Sequence, residues 1–369
     1  MLLSQIKDGL KQVGEFVKKD TFPPVFQKHF AIQNWENLVL INYRDSVTYE
    51  FGADDWTPAM RVCRGIIITK DGSQIVSFPF HKFFNVGEGS ETFPQIVAKW
   101  NIRAVTEKLD GIMLQIFRWK GELIWASRHA IWSYASVDAY KIGADAIKRI
   151  FPQKGNWTLI CELIHPSHRK PGMIDYKGLI AIGLLYLRNL DTLELIPAVE
   201  KFENDLPDPL ILPQQYLVRD FWEARGFVQS SKTRYFEGVV LQGSEELGNF
   251  LVKIKNPLYL EAIATIRQVN PMRLVGVYER DGLEGVNAML SLYRDILDDV
   301  PDAKRVKQIL EEAEYNFTKQ CLELRQRDLN EIPQHLRWVK TYEVGSEKWN
   351  KTLWRFVANE VRRQLKERQ

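Results

Sequence analysis

The sequence predicts an α+β chain in which an antiparallel-sheet domain is followed by an all-helical C-terminal domain. Three observations predict it. From about residue 37 to 255, short β-branched and aromatic runs are separated by turn signals. These runs pair off as hairpins and do not alternate regularly with helices, which argues against a doubly wound parallel sheet. After Pro257 the apolar residues change to three- and four-residue spacing almost to the end.

At the start, Leu3, Ile6, Leu10, Val13 and Val17 recur at helical intervals, so residues 2 to 19 read as an amphipathic helix capping the body. The opening Met1-Leu2-Leu3 is no targeting signal, because Gln5, Lys7, Asp8, Lys11 and Gln12 interrupt any apolar region. Val62 to Thr69 and Gln74 to Phe78 flank Asp71-Gly72 and read as a hairpin. Further strands are expected at 112–119, 122–127, 158–163, 179–187, 236–242 and 250–255, with a helix near 136–150. In the tail, helical stretches at 258–269, 283–297, 302–328 and 347–366 are broken at Asn270-Pro271, Val300-Pro301 and Ile332-Pro333. The expected domains are therefore 1–256 and 257–369, with no internal repeat and no low-complexity linker.

The 369 residues, 45% hydrophobic and 26% charged, exclude a disordered or collagen-like chain. With 50 Lys+Arg against 47 Asp+Glu the net charge is only +3, so nucleic-acid binding must come from a local patch rather than a global basic field. Cys63, Cys161 and Cys321, odd in number and far apart, point to reduced thiols in a cytoplasm. No apolar run is long enough to span a bilayer, and no membrane is expected among its partners.

The sharpest chemical feature is Lys108-Leu109-Asp110-Gly111, just before the apolar run Ile112 to Phe117. A lysine beside a strand, with a glycine allowing close backbone approach, suits a covalent nucleophile; alone, the pattern is weak and more often marks a surface hairpin. Two other segments decide between these. Glu237-Gly238-Val239-Val240 places a carboxylate at the mouth of an apolar strand, and Lys253-Ile254-Lys255 puts two ammonium groups on one strand face. A lysine nucleophile, a carboxylate able to hold a divalent metal and two lysines for phosphate are the groups needed to attack a nucleotide α-phosphate. Nearby cations are expected to lower the pKa of Lys108.

These segments resemble the covalent nucleotidyltransferase superfamily of ATP-dependent ligases and capping enzymes, with motifs I, III, IV and V in order. Cys161-Glu162-Leu163-Ile164 is similar to motif III, and Leu184-Leu185-Tyr186-Leu187 to motif IIIa. Upstream, Arg64-Gly65 and Lys82-Phe83-Phe84-Asn85 resemble the leader of the RNA ligase 1 family of T4-type bacteriophages. So does the stretch from Glu162 through His165-Pro166 and Arg169 to Asp175-Tyr176. The resemblance covers about residues 30 to 256. It implies that 1–256 is a nucleotidyltransferase (adenylyltransferase) domain with an N-terminal cap helix.

The resemblance also implies residue roles. Lys108 would form lysyl-AMP; Arg64 and Lys82 would contact the ATP β- and γ-phosphates; Glu162 would hydrogen-bond the ribose. Glu237 would help bind Mg2+ or Mn2+, and Lys253 and Lys255 would neutralise the α-phosphate. Asp110, Gly111 and Tyr186 belong to the nucleotide site through motifs I and IIIa, and Phe84 would support the pocket by packing. Arg128 stands where the family typically has Lys, and Ile112 where relatives usually carry Ser. The implied activity is ATP-dependent joining of 5′-phosphate and 3′-hydroxyl RNA ends, as in repair of RNA such as tRNA, in a bacterial or phage-infected cell. A separate end-healing kinase-phosphatase would prepare such ends.

Two other functions share these residues: a GTP-using capping-type guanylyltransferase, and a non-catalytic RNA-binding module with a relic nucleotide pocket. The helical tail, which lacks a strand-rich barrel and an R-x-D-K motif, weighs against capping enzymes and DNA ligases. Cys161, His165 and His168 lack a fourth zinc ligand, and Pro166 breaks any helical face. No P-loop motif occurs. The basic segment 351–369, with Lys351, Arg355, Arg362, Arg363, Lys366 and Arg368, reads as a solvated helix face. Its alternative role is to hold structured RNA together with Trp349 and Trp354.

Overall fold

A computed structural model describes residues 1–168, 174, 176–202, 205–268, 271–292 and 301–367. The chain divides into two compact units, Met1–Tyr259 and Leu260–Gln369. Arg169, Asp175, Asn270, Val300 and Arg368, singled out in the sequence, lie outside the described residues.

In the first unit the helix Leu3–Lys18 turns Ile6, Leu10, Val13 and Val17 inward. They pack with Ile41, Ile66 and Ile68 of a four-stranded antiparallel sheet. Its strands are β1 (Phe30–Trp35), β2 (Leu38–Tyr43), β3 (Arg64–Thr69) and β4 (Ile75–Ser77), in that order. The expected hairpin is therefore β3–β4, but Val62 belongs to a short helix, Pro58–Val62, not to a strand. Thr57 caps that helix by accepting the Met60 N–H at 3.3 Å, and Pro58 occupies its first turn. This is a helix-start signal that the apolar reading of Val62 overrode.

Two more sheets carry the rest of the unit. β5 (Ile102–Glu107) lies beside β12 (Gly238–Gly243), which pairs on its other edge with β13 (Leu251–Lys255). The larger sheet runs β10 (Leu195–Pro197), β9 (Ala181–Asn189), β8 (Trp157–Ile164), β6 (Ile112–Trp119), β7 (Glu122–Ser127), with β11 (Leu210–Ile211) added parallel to β9. The helix Tyr134–Ile150 lays Ala139, Ala146 and Ile147 against Leu114, Ile116, Leu159 and Leu184 of this sheet. The helix Phe221–Gln229 packs Phe221, Ala224 and Val228 on Val105, Val239, Leu241 and Ile254 of the smaller one. Each such buried side chain contributes about 1.5–3 kcal/mol of hydrophobic stabilisation before conformational entropy is subtracted. Because β5 and β6 belong to different sheets, Lys108–Gly111 is the step from one sheet to the other.

The second unit is helical, with Leu274, Val275 and Tyr278 packed against Val306, Leu310, Val357 and Val361. The helix expected at 283–297 begins earlier, at Pro271, and continues to Leu292 across a kink at Gly282 (φ 65°, ψ −162°). Trp349 is 2% exposed in a cluster with Cys321, Ile332 and Val339. The Trp354 indole donates to Glu314, and Arg363 and Lys351 pair with Glu360 and Glu347. Trp349 and Trp354 are thus packing residues, and at these two positions the basic helix face is neutralised by its own carboxylates.

Candidate active site

Strand register assembles the site. The Lys108 N–H donates to the Gly238 carbonyl at 2.9 Å, Glu107 faces Val239, and Gly238 faces Lys255. Lys108, Glu237 and Lys255 therefore meet at one end of the smaller sheet although 129 residues separate the first two. Glu237, 3% exposed, accepts Lys108 Nζ at 2.7 Å on one oxygen and Lys255 Nζ at 2.8 Å on the other. Gly238 holds this turn at φ +134°, where a Cβ would lie 2.1 Å from the Ile254 oxygen.

Gly111 is required by proximity instead. A Cβ there would fall 2.3 Å from the Leu163 carbonyl oxygen, across the Ile112–Leu163 pairing of β6 with β8. Its N–H donates to Glu162 at 2.9 Å. We expect Gly111→Ala to displace Glu162 and to lower stability by roughly 1–3 kcal/mol, the range for overpacking. Denaturant unfolding checks this, and an unchanged midpoint would count against it.

The electrostatics correct one expectation. Burial acts to lower the Lys108 ammonium, but Glu237, Glu162 and Asp110 outweigh it and hold Lys108 above the ordinary lysine range. The expected lowering counted cations and missed the carboxylate on which the ammonium sits. Glu237 is the mirror image: burial raises it, and Lys108 with Lys255 outweigh that and hold it low. The lowered lysine is Lys253, depressed first by burial and then by Lys82, Arg64, Lys108 and Lys255. Its amine donates to the Phe83 carbonyl at 3.0 Å and lies over the Phe83 ring.

Burial, with Glu237 and Asp110 as neighbours, pushes Glu162 up to about 7 despite Lys108 and the Gly111 N–H. A carboxyl raised in the folded state adds stability that is full below its unfolded pKa, near 4.5, and is lost as pH rises through about 7. Glu162→Gln keeps the acceptor for Gly111 and removes this loss. The ligand-free variant should therefore outlast the wild type above pH 7, by about 3 kcal/mol at most. Thermal melts from pH 5 to 8.5 test it; parallel curves for the two proteins would rule it out.

A second group of cations surrounds Tyr43, which the sequence reading missed. Arg128 donates to its hydroxyl at 3.2 Å and covers its ring, and Lys82 lies 5.4 Å from the ring centroid. Burial raises the Tyr43 phenol, but Arg64, Lys82 and Arg128 together bring it below its ordinary value. Arg64 also lies over Phe80 and Phe83 and contacts the Met113 sulfur at 3.2 Å. Asp110 is held by Tyr176, which belongs to the family-like stretch, and by Tyr259, which the sequence reading missed: its N–H donates to the Tyr176 hydroxyl at 2.9 Å, and its carboxylate accepts the Tyr259 hydroxyl at 3.0 Å. The available signal was position, since Tyr43 ends an apolar strand and Tyr259 follows Lys255 by four residues.

Phe84 packs beside the site cations, 5.3 Å from Lys82 Nζ. It joins the N-terminal core beside Trp56, while Phe83 packs with Phe80, Met113 and Tyr186 under Arg64 and Lys253. Tyr186 is 2% exposed and walls that cluster, edge-on to Phe80. His165 lines a cavity of about 280 Å3 with Asp110, Gly111 and Tyr176. His168 instead meets Asp138 at 3.0 Å, and no group of three or more His, Cys, Asp or Glu suited to a metal occurs among the described residues. A larger cavity, about 850 Å3, lies in the second unit; Lys319 and Arg363 there are offset by Glu323 and Glu360.

A family model described as RNA ligase, of the T4 type, matches residues 62–259, more than half of the chain. RNA ligase 1 of bacteriophage TS2126 is 32% identical over 160 residues, 40% of this chain and 40% of that protein. A putative RNA ligase of Thermovibrio ammonificans is 39% identical over 87 residues, 24% of this chain and 22% of that protein. The chain thus aligns with less than half the length of either relative. Among solved structures, an archaeal ATP-dependent RNA ligase is 13% identical, with a TM-score of 0.46 over 77% of this chain and 73% of that one. An RNA ligase of Naegleria gruberi is 18% identical, with a TM-score of 0.38 over 49% of this chain and 57% of that one. The matched region contains Lys82, Lys108, Glu162, Glu237, Lys253 and Lys255 in the geometry described above, and the chain belongs to the T4-type RNA ligase family.

Proposed function

We propose that the chain is an ATP-dependent RNA ligase joining 5′-phosphate to 3′-hydroxyl RNA ends. The observation that carries this reading is Lys108, a lysine beside two strands, sharing the buried Glu237 with Lys255 at 2.7 and 2.8 Å. In the first step the Lys108 Nζ lone pair attacks the ATP α-phosphorus. The bond to the β-phosphate oxygen breaks, pyrophosphate leaves with the electron pair, and the nitrogen loses its protons to solvent. AMP then passes to the RNA 5′-phosphate, releasing the lysine. Finally the 3′-hydroxyl attacks the adenylylated 5′-phosphate, and AMP departs.

Arg64 and Lys82 would meet the β- and γ-phosphates and stabilise the leaving pyrophosphate. Lys253, whose ammonium is held below the ordinary lysine range by burial and by the neighbouring cations, would be stabilised beside the anionic α-phosphate, and Glu162 would bind the ribose. Arg128, whose nearest carboxylate among the described residues is the exposed Asp45 at 3.6 Å, would add charge at the same end. The crowding that raises Glu162 and Asp110 above their ordinary values suits a hard divalent cation, Mg2+ or Mn2+, which takes oxygen ligands. Glu237 would hold it, and when bound it supplies positive charge to the α-phosphate.

RNA repair, with tRNA as a substrate and a separate kinase-phosphatase preparing the ends, is the biology this reading implies. The three buried free thiols suit a reducing cytoplasm, and no helix among the described residues is long and apolar enough to cross a membrane. The test is incubation with α-labelled ATP and divalent metal, with and without 5′-phosphorylated single-stranded RNA. Label on protein that chases into RNA and then into free AMP supports the reading; RNA binding without any protein adduct defeats it.

A further inference from the structure

Among the described residues, the Lys82 ammonium lies against aromatic rings and pairs with no carboxylate. Its Nζ lies 5.4 Å from the Tyr43 centroid, 5.3 Å from Trp56 and 5.3 Å from Phe84. Among the described residues its ammonium makes no ion pair or hydrogen bond. The rings brace one another: Trp56 meets Tyr43 edge-on at 5.1 Å and 84°, and Phe84 at 6.2 Å and 74°. All three are buried, while Lys82 itself is partly exposed. The other site lysines are held differently, Lys108 and Lys255 by Glu237 and Lys253 by a backbone carbonyl.

The difference has a chemical consequence. A carboxylate partner fixes an ammonium but cancels its charge, and an incoming phosphate must displace it. Ring quadrupoles stabilise the ammonium without cancelling its charge, so its full attraction remains for an anion arriving from the open side. Two of the three rings carry further duties. Tyr43 also receives Arg128, and Phe84 lies beneath the Arg61 guanidinium. Among the described residues Trp56 carries no second cation, and Thr57 and Pro58, which start the next helix, fix the chain immediately after it.

We propose that Trp56 is a positioning residue for the first chemical step: with Tyr43 and Phe84 it forms an aromatic cage that holds the Lys82 side chain in place for the pyrophosphate leaving group. This rests on the ligase reading, because only the ATP-dependent step has that leaving group. A loose Lys82 slows departure of pyrophosphate and, by microscopic reversibility, its return onto lysyl-AMP. Sealing of RNA supplied already adenylylated involves no pyrophosphate and is independent of the cage.

The experiment compares the full chain with Trp56→Leu and Trp56→Phe in three assays. These are adduct formation from saturating α-labelled ATP, discharge of the adduct by pyrophosphate, and sealing of pre-adenylylated RNA. Trp56→Leu is expected to slow the first two by a common factor of roughly 10 to 30 and to leave the third unchanged. Trp56→Phe, which keeps a π face, should recover most of the loss. Equal losses in all three assays with a lowered melting temperature overturn the proposal in favour of simple packing, as does a Trp56→Leu protein as fast as wild type. If the wild-type protein forms no adduct, the ligase reading falls and the cage proposal with it.

Discussion

Lys108→Ala is expected to abolish covalent attachment of AMP, with a loss of at least about 10^4-fold, while the variant still seals pre-adenylylated RNA. The first effect follows because no other lysine can take its place. Lys255 is held on the far oxygen of Glu237, and Lys253 is committed to the Phe83 carbonyl. The second follows because the joining step needs the phosphate-binding cations but not the nucleophile. The fold should survive, since Glu237 keeps Lys255 at 2.8 Å and is not left as an unpaired buried charge. Denaturing electrophoresis after incubation with α-labelled ATP reads the first effect. A variant that still carries label refutes the assignment of Lys108, and one that loses pre-adenylylated sealing as well would indicate a collapsed site.

The residues that could be read from the sequence are those whose charge is out of place in a strand. Lys253 and Lys255 alternate with buried Val252 and Ile254, and Glu237 opens a strand of buried residues, so their chemistry stands out against the pattern. Tyr43, Trp56 and Tyr259 did not stand out, because phenol and indole rings are ordinary core material until their neighbours are known. Phe83 and Phe84 show the same limit. Adjacent residues of an extended chain point to opposite sides, and only the observed packing shows which side faces Lys253. The hairpins were legible from their turns, whereas the division of β5 and β6 between two sheets depends on pairings with strands more than forty residues away. Trp349 and Trp354 were legible as helix residues open to either a core or an RNA-stacking role, and only the observed packing places them in the core.

Glu237→Gln should separate the two things that Glu237 does. With the carboxylate charge gone, burial and the neighbouring cations are opposed only by Glu162 and Asp110, so Lys108 loses its proton more easily. Adduct formation requires the unprotonated amine and rises with pH through the Lys108 pKa. In the variant this rise should therefore begin at lower pH. The plateau should nevertheless fall by roughly 10^2-fold or more, because the proposed ligand for the divalent cation is lost. Stability moves in the direction linkage requires. The raised Lys108 contributes stability that is full below the ordinary lysine range and is lost as pH rises through its raised value. The lowered Glu237 contributes stability that is full above the ordinary carboxylate range and is lost as pH falls through its lowered value. Both contributions are present at neutral pH and both disappear in the variant. The expected cost is roughly 3 kcal/mol, the low end for breaking a buried pair, because each lysine side chain keeps about a quarter of its surface exposed. Lys108→Ala shows no such pH behaviour, having no nucleophile to titrate. A Glu237→Gln protein whose rate rises at the same pH as wild type, or higher, would mean that Glu237 does not set the protonation of Lys108, whatever its effect on the plateau.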